Sequence, residues 1–288
     1  MRLIDSHAHL QADAFAADLG AVIATARAAG VERLLVPGWD AGSSAAAVEL
    51  AREWGIQAAV GIHPHDAAAA TGADWSAVVE LAASPEVAGI GETGLDFDRL
   101  HSPREVQLAN LDRHLHLALD CGKPAILHCR SAAGERDAQD ALIAALRGAG
   151  FGGPPARAAF GDRPPAVLHS FSGSLDYATA ALEMGLAIAF GGLVFRRGEE
   201  VSAEVARLVP ADRLLIETDS PYLAPPGVPR GTGSATDARP RFSGRRNSPE
   251  WVRVTAEWLG RQRAATPDSI GEGLVAAYDR TFGSARLP

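Results

Sequence analysis

Histidine and acidic side chains follow several short apolar runs of this chain, at the point where each run ends. The first run ends in His7 and His9, and later runs end in His63, Glu92, His128, His169 and Asp219. Neutral imidazoles and carboxylates are the ligands by which proteins hold divalent metal ions. If the runs are parallel strands of one barrel, these side chains converge at its C-terminal mouth, where active sites of that fold lie. The pattern therefore predicts a metal-dependent active site.

The spacing of His7 and His9 suggests a pair of ligands for one ion. On a strand, residues two apart point to the same face, so both imidazoles could bind the same metal. A pair of surface histidines would show the same spacing. Further candidate ligands at the ends of four other predicted strands favour the metal interpretation, because such clusters seldom arise from packing alone.

The next candidates would complete a site for two ions. Glu92 lies in Gly-Glu-Thr-Gly-Leu-Asp, and a carboxylate can bridge two metals, which a neutral imidazole cannot do. The alternative for Glu92 is a buried ion pair with an arginine. His128 and His169 end consecutive predicted strands, and each could give one nitrogen to one ion. Each of them alone could equally be a core histidine.

Asp219 is the candidate catalytic base. It lies in Glu217-Thr218-Asp219-Ser220-Pro221, and we expect it to bind a metal and to accept a proton from a metal-bound water, which the cation acidifies. An aspartate that caps a turn before proline is the alternative. Glu217, two residues earlier, should face the same side and orient a ligand.

Candidate substrate-binding residues lie in two further segments. His63 and His65, in Gly-Ile-His-Pro-His, could contact substrate, orient a phosphate oxygen, protonate a leaving group or stabilise the loop. We interpret His101, His114 and His116 as structural. Five arginines stand near one acid, Asp237, in segment 226–247, where they could bind phosphate bidentately or belong to a solvated loop: Arg230, Arg239, Arg241, Arg245 and Arg246.

Composition restricts the class of protein. The net charge of −8 over 288 residues argues against a protein that coats nucleic acid non-specifically, but it permits local binding of phosphate. No apolar run is long enough to span a membrane, and the chain enters a predicted strand too early for a signal peptide. The two cysteines, Cys121 and Cys129, suggest a reducing cytoplasm.

Eight apolar runs alternate with amphipathic stretches, which predicts a single (β/α)₈ TIM-type barrel domain over residues 1–288. A doubly wound open sheet is the rival, but it would usually carry a glycine-rich turn where this chain has His-Ala-His. Segments 150–164 and 224–247 are predicted as long loops. The predicted strands are 3–9, 33–38, 57–64, 87–96, 123–130, 165–173, 186–195 and 214–223, and the helices include 18–29, 43–54, 74–83, 103–120, 137–149, 175–184 and 199–208.

These motifs resemble the TatD family of metal-dependent deoxyribonucleases, within the amidohydrolase superfamily. The resemblance runs nearly end to end. It rests on Ile4-Asp5-Ser6-His7-Ala8-His9, Gly61-Ile62-His63-Pro64-His65, Gly91-Glu92-Thr93-Gly94-Leu95-Asp96, Leu127-His128-Cys129-Arg130, His169-Ser170-Phe171-Ser172-Gly173, Glu217-Thr218-Asp219-Ser220-Pro221-Tyr222-Leu223 and Arg245-Arg246-Asn247-Ser248-Pro249.

The resemblance implies a distorted (β/α)₈ barrel that hydrolyses phosphodiesters with Mg²⁺ or Mn²⁺, commonly from the 3′ end of single-stranded DNA or RNA. It puts His63 near the substrate phosphate, and it puts the metal ligands at His7, His9, Glu92, His128, His169 and Asp219. Two ions form the minimal set, and Zn²⁺ also suits these ligands. The chain departs from the family in an enlarged loop, Pro226–Pro240, and in Phe97-Asp98-Arg99 after the Gly-Leu-Asp motif.

Other functions fit part of the pattern. An amidohydrolase or esterase could cleave a small amide or lactone, or a D-aminoacyl-tRNA ester. Many two-metal amidohydrolases bridge with a carboxylated lysine, whereas this chain has Glu92 at the corresponding point. A binding scaffold that has lost its activity is a further alternative, although every predicted ligand and the candidate base are present. We expect no membrane association and no obligate protein partner.

Overall fold

Eight parallel strands form one sheet in chain order in the computed structural model, which describes residues 1–229 and 245–284. The predicted (β/α)₈ barrel is confirmed. The strands are β1 Leu3–Asp5, β2 Val31–Pro37, β3 Gln57–Val60, β4 Val87–Asp96, β5 Ala125–Arg130, β6 Ala166–Leu168, β7 Ala187–Phe190 and β8 Leu214–Ile216. Their apolar side chains are almost all buried, as expected for strands covered on both faces.

The seam between β1 and β8 is made by residues at and beyond the strand ends. Ser6 N donates to Ile216 O (3.1 Å), Asp219 N to His7 O (2.9 Å), and His9 N to Ser220 O (2.7 Å). Ala8 also forms a parallel bridge with Ser220. The barrel is therefore closed by the same two segments that carry the candidate ligands.

Ten α-helices lie within the described residues. They are α1 Leu19–Ala28, α2 Ala41–Trp54, α3 Gly72–Leu81, α4 Arg104–Cys121, α5 Asp137–Gly148, α6 Pro154–Phe160, α7 Leu175–Glu183, α8 Ser202–Leu208, α9 Val252–Arg263 and α10 Pro267–Phe282. The prediction of a loop over 150–164 was wrong, because Pro154 and Pro155 begin a short helix there. Proline at the first helical position is already fixed in φ and loses no hydrogen bond.

Several strands are shorter than predicted. β1 ends at Asp5, β6 at Leu168 and β8 at Ile216, so His7, His9, His169 and Asp219 all lie just beyond their strands. The expectation that His7 and His9 sit on a strand was therefore wrong. Their side chains converge because the segment is fastened between β2 and β8: Ala8 N donates to Leu35 O (3.1 Å) on one side and pairs with Ser220 on the other.

None of the helices within 1–229 and 245–284 combines the length and the apolar character needed to cross a bilayer. That residues 1–288 form a single domain stays a prediction.

Candidate active site

The first group of candidate ligands, here called the β1–β8 cluster, consists of His7, His9 and Asp219. The Nε2 atoms of His7 and His9 lie 3.2 Å apart. Asp219 Oδ1 lies 3.9 Å from His7 Nε2 and 3.5 Å from His9 Nε2. Asp219 has a positive φ of 53°, a conformation that aspartate tolerates better than most residues. Three ligand atoms thus face one small volume.

The second group, the β5–β6 cluster, consists of His128 and His169. His128 Nδ1 and His169 Nε2 lie 3.4 Å apart. His128 is on β5 and His169 is the residue directly after β6, so the parallel pairing of these strands brings the two imidazoles together.

Glu92 lies between the two clusters and faces both. Its Oε2 is 3.3 Å from His7 Nε2 and 3.5 Å from His9 Nε2. Its Oε1 is 2.9 Å from His169 Nε2 and 3.3 Å from His128 Nδ1. The structure therefore brings the six predicted ligands together, with the four imidazoles around the carboxylate of Glu92 and Asp219 beside His7 and His9.

Local backbone features place Glu92 there. The register of β4 against β5 shifts between Ile90 and Thr93, and such a bulge redirects a side chain. Gly61 permits the close approach of β3, because a Cβ at that position would lie 2.6 Å from Gly91 Cα. The glycines in both motifs thus allow the His63 segment and the Glu92 segment to pack backbone against backbone.

The nitrogens that face away from the clusters decide which imidazoles can bind metal. His9 Nδ1 donates to Pro37 O (3.2 Å), and His169 Nδ1 donates to Glu217 Oε1 (3.2 Å). His128 Nε2 faces Asp96 Oδ2 at 3.4 Å. A neutral imidazole with its proton on that side presents a lone pair to the cluster, as a metal ligand must. The buried Nδ1 of His7 has no hydrogen-bond partner in the described structure.

His63 differs from these ligands although it lies equally close. Its Nε2 is 3.3 Å from Glu92 Oε1, but its Nδ1 accepts a hydrogen bond from His65 N (3.1 Å). Burial lowers the pKa of His63 to about 4, so the ring is neutral near pH 7. Its single proton is then on Nε2 and is donated to Glu92. In this arrangement His63 is a hydrogen-bond donor to Glu92, although its ligand atom also lies within 4.8 Å of those of Glu92 and His128, close enough for the three to hold an ion.

The structure places His65 at the rim of the site. His65 Nε2 lies 2.7 Å from Asp96 Oδ2, the same oxygen that faces His128. The ring of His101, which we interpreted as merely structural, lies 4.5 Å from that of His65. His65 therefore contacts the support of the β5–β6 cluster, and it does not reach Glu92 as His63 does.

The arginines predicted to bind phosphate differ in whether they are available to a ligand. Arg246 forms a bidentate ion pair with Asp18, at 2.8 and 2.6 Å, and its guanidinium also donates to Ala14 O. A phosphate would have to displace Asp18 from it. Arg245 is exposed. The other members of the cluster, Arg230, Arg239 and Arg241, and most of the enlarged loop lie outside the described residues.

Sequence reasoning gave no role to two residues that support Asp219. Asp5, buried below the site, accepts hydrogen bonds from Thr218 N (2.9 Å), Thr218 Oγ1 (2.6 Å) and His7 N (3.3 Å). Asn247 Nδ2 donates to Thr218 O (2.9 Å), and Asn247 N donates to Pro221 O (3.0 Å). Both lie in motifs that carry the resemblance, which was the available signal.

A buried polar face of α4 was also missed. Gln107 pairs with both the N–H and the C=O of Asp96, at 2.8 and 3.0 Å. Asn110 Nδ2 donates to Ile62 O (2.7 Å), and His114 Nε2 accepts from Ile62 N (3.0 Å). Helix α4 thus fixes the backbone beside His63 and at Asp96. Polar residues spaced three and four apart in an amphipathic helix were the sequence signal.

The electrostatics of the site suit a cation. Burial alone would raise the pKa of Glu92, but the facing imidazoles of His169, His63 and His7 hold it well below its usual value. The pKa of Asp219 is likewise lowered against burial, chiefly by His9 and His7. These buried carboxylates are therefore ionised, and a divalent ion would supply the positive charge that they attract.

The same carboxylates favour the protonated form of three imidazoles. Burial lowers the pKa values of His9, His128 and His169, but the neighbouring carboxylates outweigh it and raise all three, that of His169 well above normal. Metal binding would displace these protons, since an imidazole binds metal only when neutral. The donor set thus fits divalent metal ions.

Comparison with known proteins identifies the family. The model of the family described as TatD related DNase matches residues 4–283. The chain is 35% identical to the uncharacterized metal-dependent hydrolase YabD of Bacillus subtilis over 97% of this chain and 98% of that protein. It is 36% identical to the 3′-5′ ssDNA/RNA exonuclease TatD of Escherichia coli K12, over 93% and 96% of the two chains.

A solved structure agrees with these relatives. The TatD homologue YJJV of Escherichia coli K12 superimposes with a TM-score of 0.82 at 27% identity, over 98% of each chain. The resemblance predicted from the motifs is thereby confirmed: this chain belongs to the TatD family.

Proposed function

We propose that this protein is a metal-dependent phosphodiesterase that removes nucleotides from the 3′ end of single-stranded DNA or RNA. The observation that carries the proposal is Glu92, whose two oxygens face two separate clusters of imidazoles. Two-metal sites bound in this way are typical of phosphodiester hydrolysis. The E. coli relative named as a 3′-5′ exonuclease supplies the substrate class.

Two ions, Mg²⁺ or Mn²⁺ with Zn²⁺ as a further possibility, are the proposed cofactors. The β1–β8 cluster would hold one ion and the β5–β6 cluster the other, with Glu92 shared between them. Bound there, the ions would make water a better nucleophile and neutralise charge on the phosphate.

The side chains of the protein would accept the proton from water and bind the substrate. Asp219, ionised and at the edge of the β1–β8 cluster, is placed to accept a proton from the attacking water. His63, whose Nε2 lies 3.3 Å from Glu92 Oε1, would lie beside a phosphate held by the ions and could offer its N–H to a phosphate oxygen in place of Glu92. Arg245, exposed in the segment after β8, would hold the nucleic-acid backbone, while His65 and Arg246 act more remotely, through Asp96 and Asp18.

Digestion of a 5′-labelled single-stranded DNA oligomer tests the proposal. The protein is stripped with a chelator and assayed alone and with added Mg²⁺, Mn²⁺ or Zn²⁺. We expect a ladder of products that shortens from the 3′ end only when metal is present. A 3′-labelled copy of the oligomer should lose its label in the first turnover.

Two outcomes would contradict the proposal in different ways. Products cut at internal positions would support phosphodiester hydrolysis but would contradict the proposed preference for the 3′ end. Absence of cleavage with every metal, on DNA and RNA alike, would move the assignment to the hydrolysis of a D-aminoacyl-tRNA ester or a small-molecule amide or lactone. The cytoplasmic location suggested by the free cysteines Cys121 and Cys129 remains part of the proposal.

A further inference from the structure

Two aromatic side chains border the β1–β8 cluster. The ring centroid of Trp39 lies 5.4 Å from that of His9, and the centroid of Tyr222 lies 6.0 Å from it. Both rings are steeply inclined to the imidazole, at 72° and 75°. Trp39 follows β2 and Tyr222 follows β8, the two strands whose segments pair with the β1 segment. The aromatics therefore come from the loops on both sides of His9.

The packing of the core does not account for either ring. Three other tryptophans, Trp54, Trp75 and Trp258, pack against the hydrophobic core, whereas Trp39 and Tyr222 belong neither to it nor to the side chains packed on it. Tyr222 is 41% exposed. Burial of a large apolar ring in the core is its usual contribution to a fold, whereas rings at the mouth of the site are placed where a ligand can contact them.

Two main-chain hydrogen bonds fix the backbone of Trp39 at this position. Its N–H donates to Ser43 Oγ (2.8 Å), and its carbonyl accepts from His63 N (2.8 Å). Tyr222 is fixed similarly, because its N–H donates to Asp219 O (2.8 Å). Each aromatic residue is thus hydrogen-bonded through its main chain to a residue of the proposed reaction, and a backbone already fixed loses less entropy when a ligand binds to its side chain.

We infer that Trp39 and Tyr222 form a stacking site for the bases of single-stranded nucleic acid next to the scissile phosphate. The inference rests on the proposed nuclease function and adds a base-binding site to it. Proteins that bind single strands without sequence preference stack successive bases on aromatic rings, since every base has a π face. The site would therefore require a base at the substrate end but not a particular base.

A pair of substrates tests the inference. One is a 5′-labelled single-stranded oligomer, and the other is the same oligomer with abasic tetrahydrofuran nucleotides at its 3′ end. Wild-type protein should cleave the base-bearing end with a higher kcat/KM, by about 5- to 150-fold, the range found for loss of one stacked base. Trp39→Ala should abolish most of this preference, mainly through KM, and Trp39→Phe should retain it.

Matched variants and a binding assay separate the possible results. Tyr222→Ala should also reduce the preference, whereas Leu208→Ala, which truncates an exposed apolar side chain on α8, should not. Equal cleavage of the two substrates by wild-type protein, or a preference that survives Trp39→Ala, would overturn the stacking site and leave the nuclease intact.

If neither substrate is cleaved, the proposed function fails and binding decides the inference. Anisotropy of the labelled oligomers is then measured with the Asp219→Asn protein in Mg²⁺. Tighter binding of the base-bearing oligomer, lost in Trp39→Ala, would support the stacking site. Equal binding of both oligomers would refute it.

Discussion

The two ligand clusters differ in what stands behind their imidazoles. In the β5–β6 cluster, a buried carboxylate lies behind each histidine: Glu217 Oε1 accepts a hydrogen bond from His169 Nδ1 (3.2 Å), and Asp96 Oδ2 lies 3.4 Å from His128 Nε2, too poorly aligned to count as a hydrogen bond. In the β1–β8 cluster, His9 is backed by a backbone carbonyl, and His7 Nδ1 has no hydrogen-bond partner in the described structure. Carboxylates behind histidines make them more basic and fix their orientation.

The pKa of His9 is raised, as are those of His128 and His169, so within these two clusters only His7 is shifted downward. His7 and His169 stack with centroids 4.0 Å apart, yet their pKa values shift in opposite directions. Burial and the adjacent His169 lower that of His7, whereas Glu92 and Glu217 overcome burial and raise that of His169. From the carboxylates behind its histidines we expect the β5–β6 cluster to bind a cation more tightly than the β1–β8 cluster, whose proposed role is to place Asp219 beside the reaction.

The largest effect should come from Asp219→Asn. The amide preserves shape but cannot accept a proton as the carboxylate does, so kcat for the labelled oligomer should fall about 10²- to 10⁴-fold. Asp176→Asn makes the same chemical change at an exposed side chain on α7 and should leave kcat near wild type. Near wild-type turnover of Asp219→Asn would remove Asp219 from the mechanism.

The supports of the β5–β6 cluster come next. Glu217→Gln and Asp96→Asn should each weaken one of two Mn²⁺-binding events by about 10- to 100-fold, as loss of a carboxylate behind a ligand does. Isothermal titration of Mn²⁺ into the chelator-stripped protein measures both events. Glu199→Gln, whose carboxylate accepts only from Ser172 Oγ among the hydrogen bonds of the described residues, is the matched control. If Glu217→Gln and Asp96→Asn bind Mn²⁺ as the wild type does, the carboxylates behind the β5–β6 histidines do not strengthen metal binding, and the proposed difference between the clusters is wrong.

A smaller effect should separate His63 from the ligands beside it. His63→Gln should keep the number of bound ions and their affinities but reduce kcat roughly tenfold, comparable to the loss of one hydrogen bond to a charged group. The same titration and the oligomer assay provide the two measurements. If the second Mn²⁺ affinity falls as it does in Glu217→Gln, His63 is a ligand, and the assignment of its proton to Nε2 is wrong.

The last effect concerns stability and not turnover, and it comes from Asp5 beneath the β1–β8 cluster. Burial raises the pKa of Asp5 to about 8, against about 4 in an unfolded chain. The stability associated with its proton is complete below pH 4 and is lost as pH rises through 8, because the unfolded chain releases that proton first.

Asp5→Asn removes this titration. The difference in unfolding free energy between variant and wild type should therefore shift in favour of the variant between pH 4 and pH 8, by roughly 5 kcal/mol for a pKa that differs by about four units between the two states. Urea unfolding at several pH values measures it. A constant difference would mean that Asp5 is ionised throughout, held so by the Thr218 donors.

The sequence alone determined the barrel, the family and the identity of the candidate ligands. Strand and helix periodicities are local, and histidines or carboxylates at strand ends of a parallel barrel must meet at one mouth, whatever their separation along the chain. The motifs around His7, Glu92 and Asp219 could therefore be interpreted without coordinates.

Only the tertiary structure decided which atoms face the site. The proton of His63 is placed by a contact with the backbone of His65, and Arg246 is turned toward Asp18, 228 residues away in sequence. His169 is oriented by Glu217 across 48 residues. Such pairings depend on distances between elements and not on local propensity. The sequence could therefore nominate the side chains of this site, but packing assigned their tautomers, charges and partners.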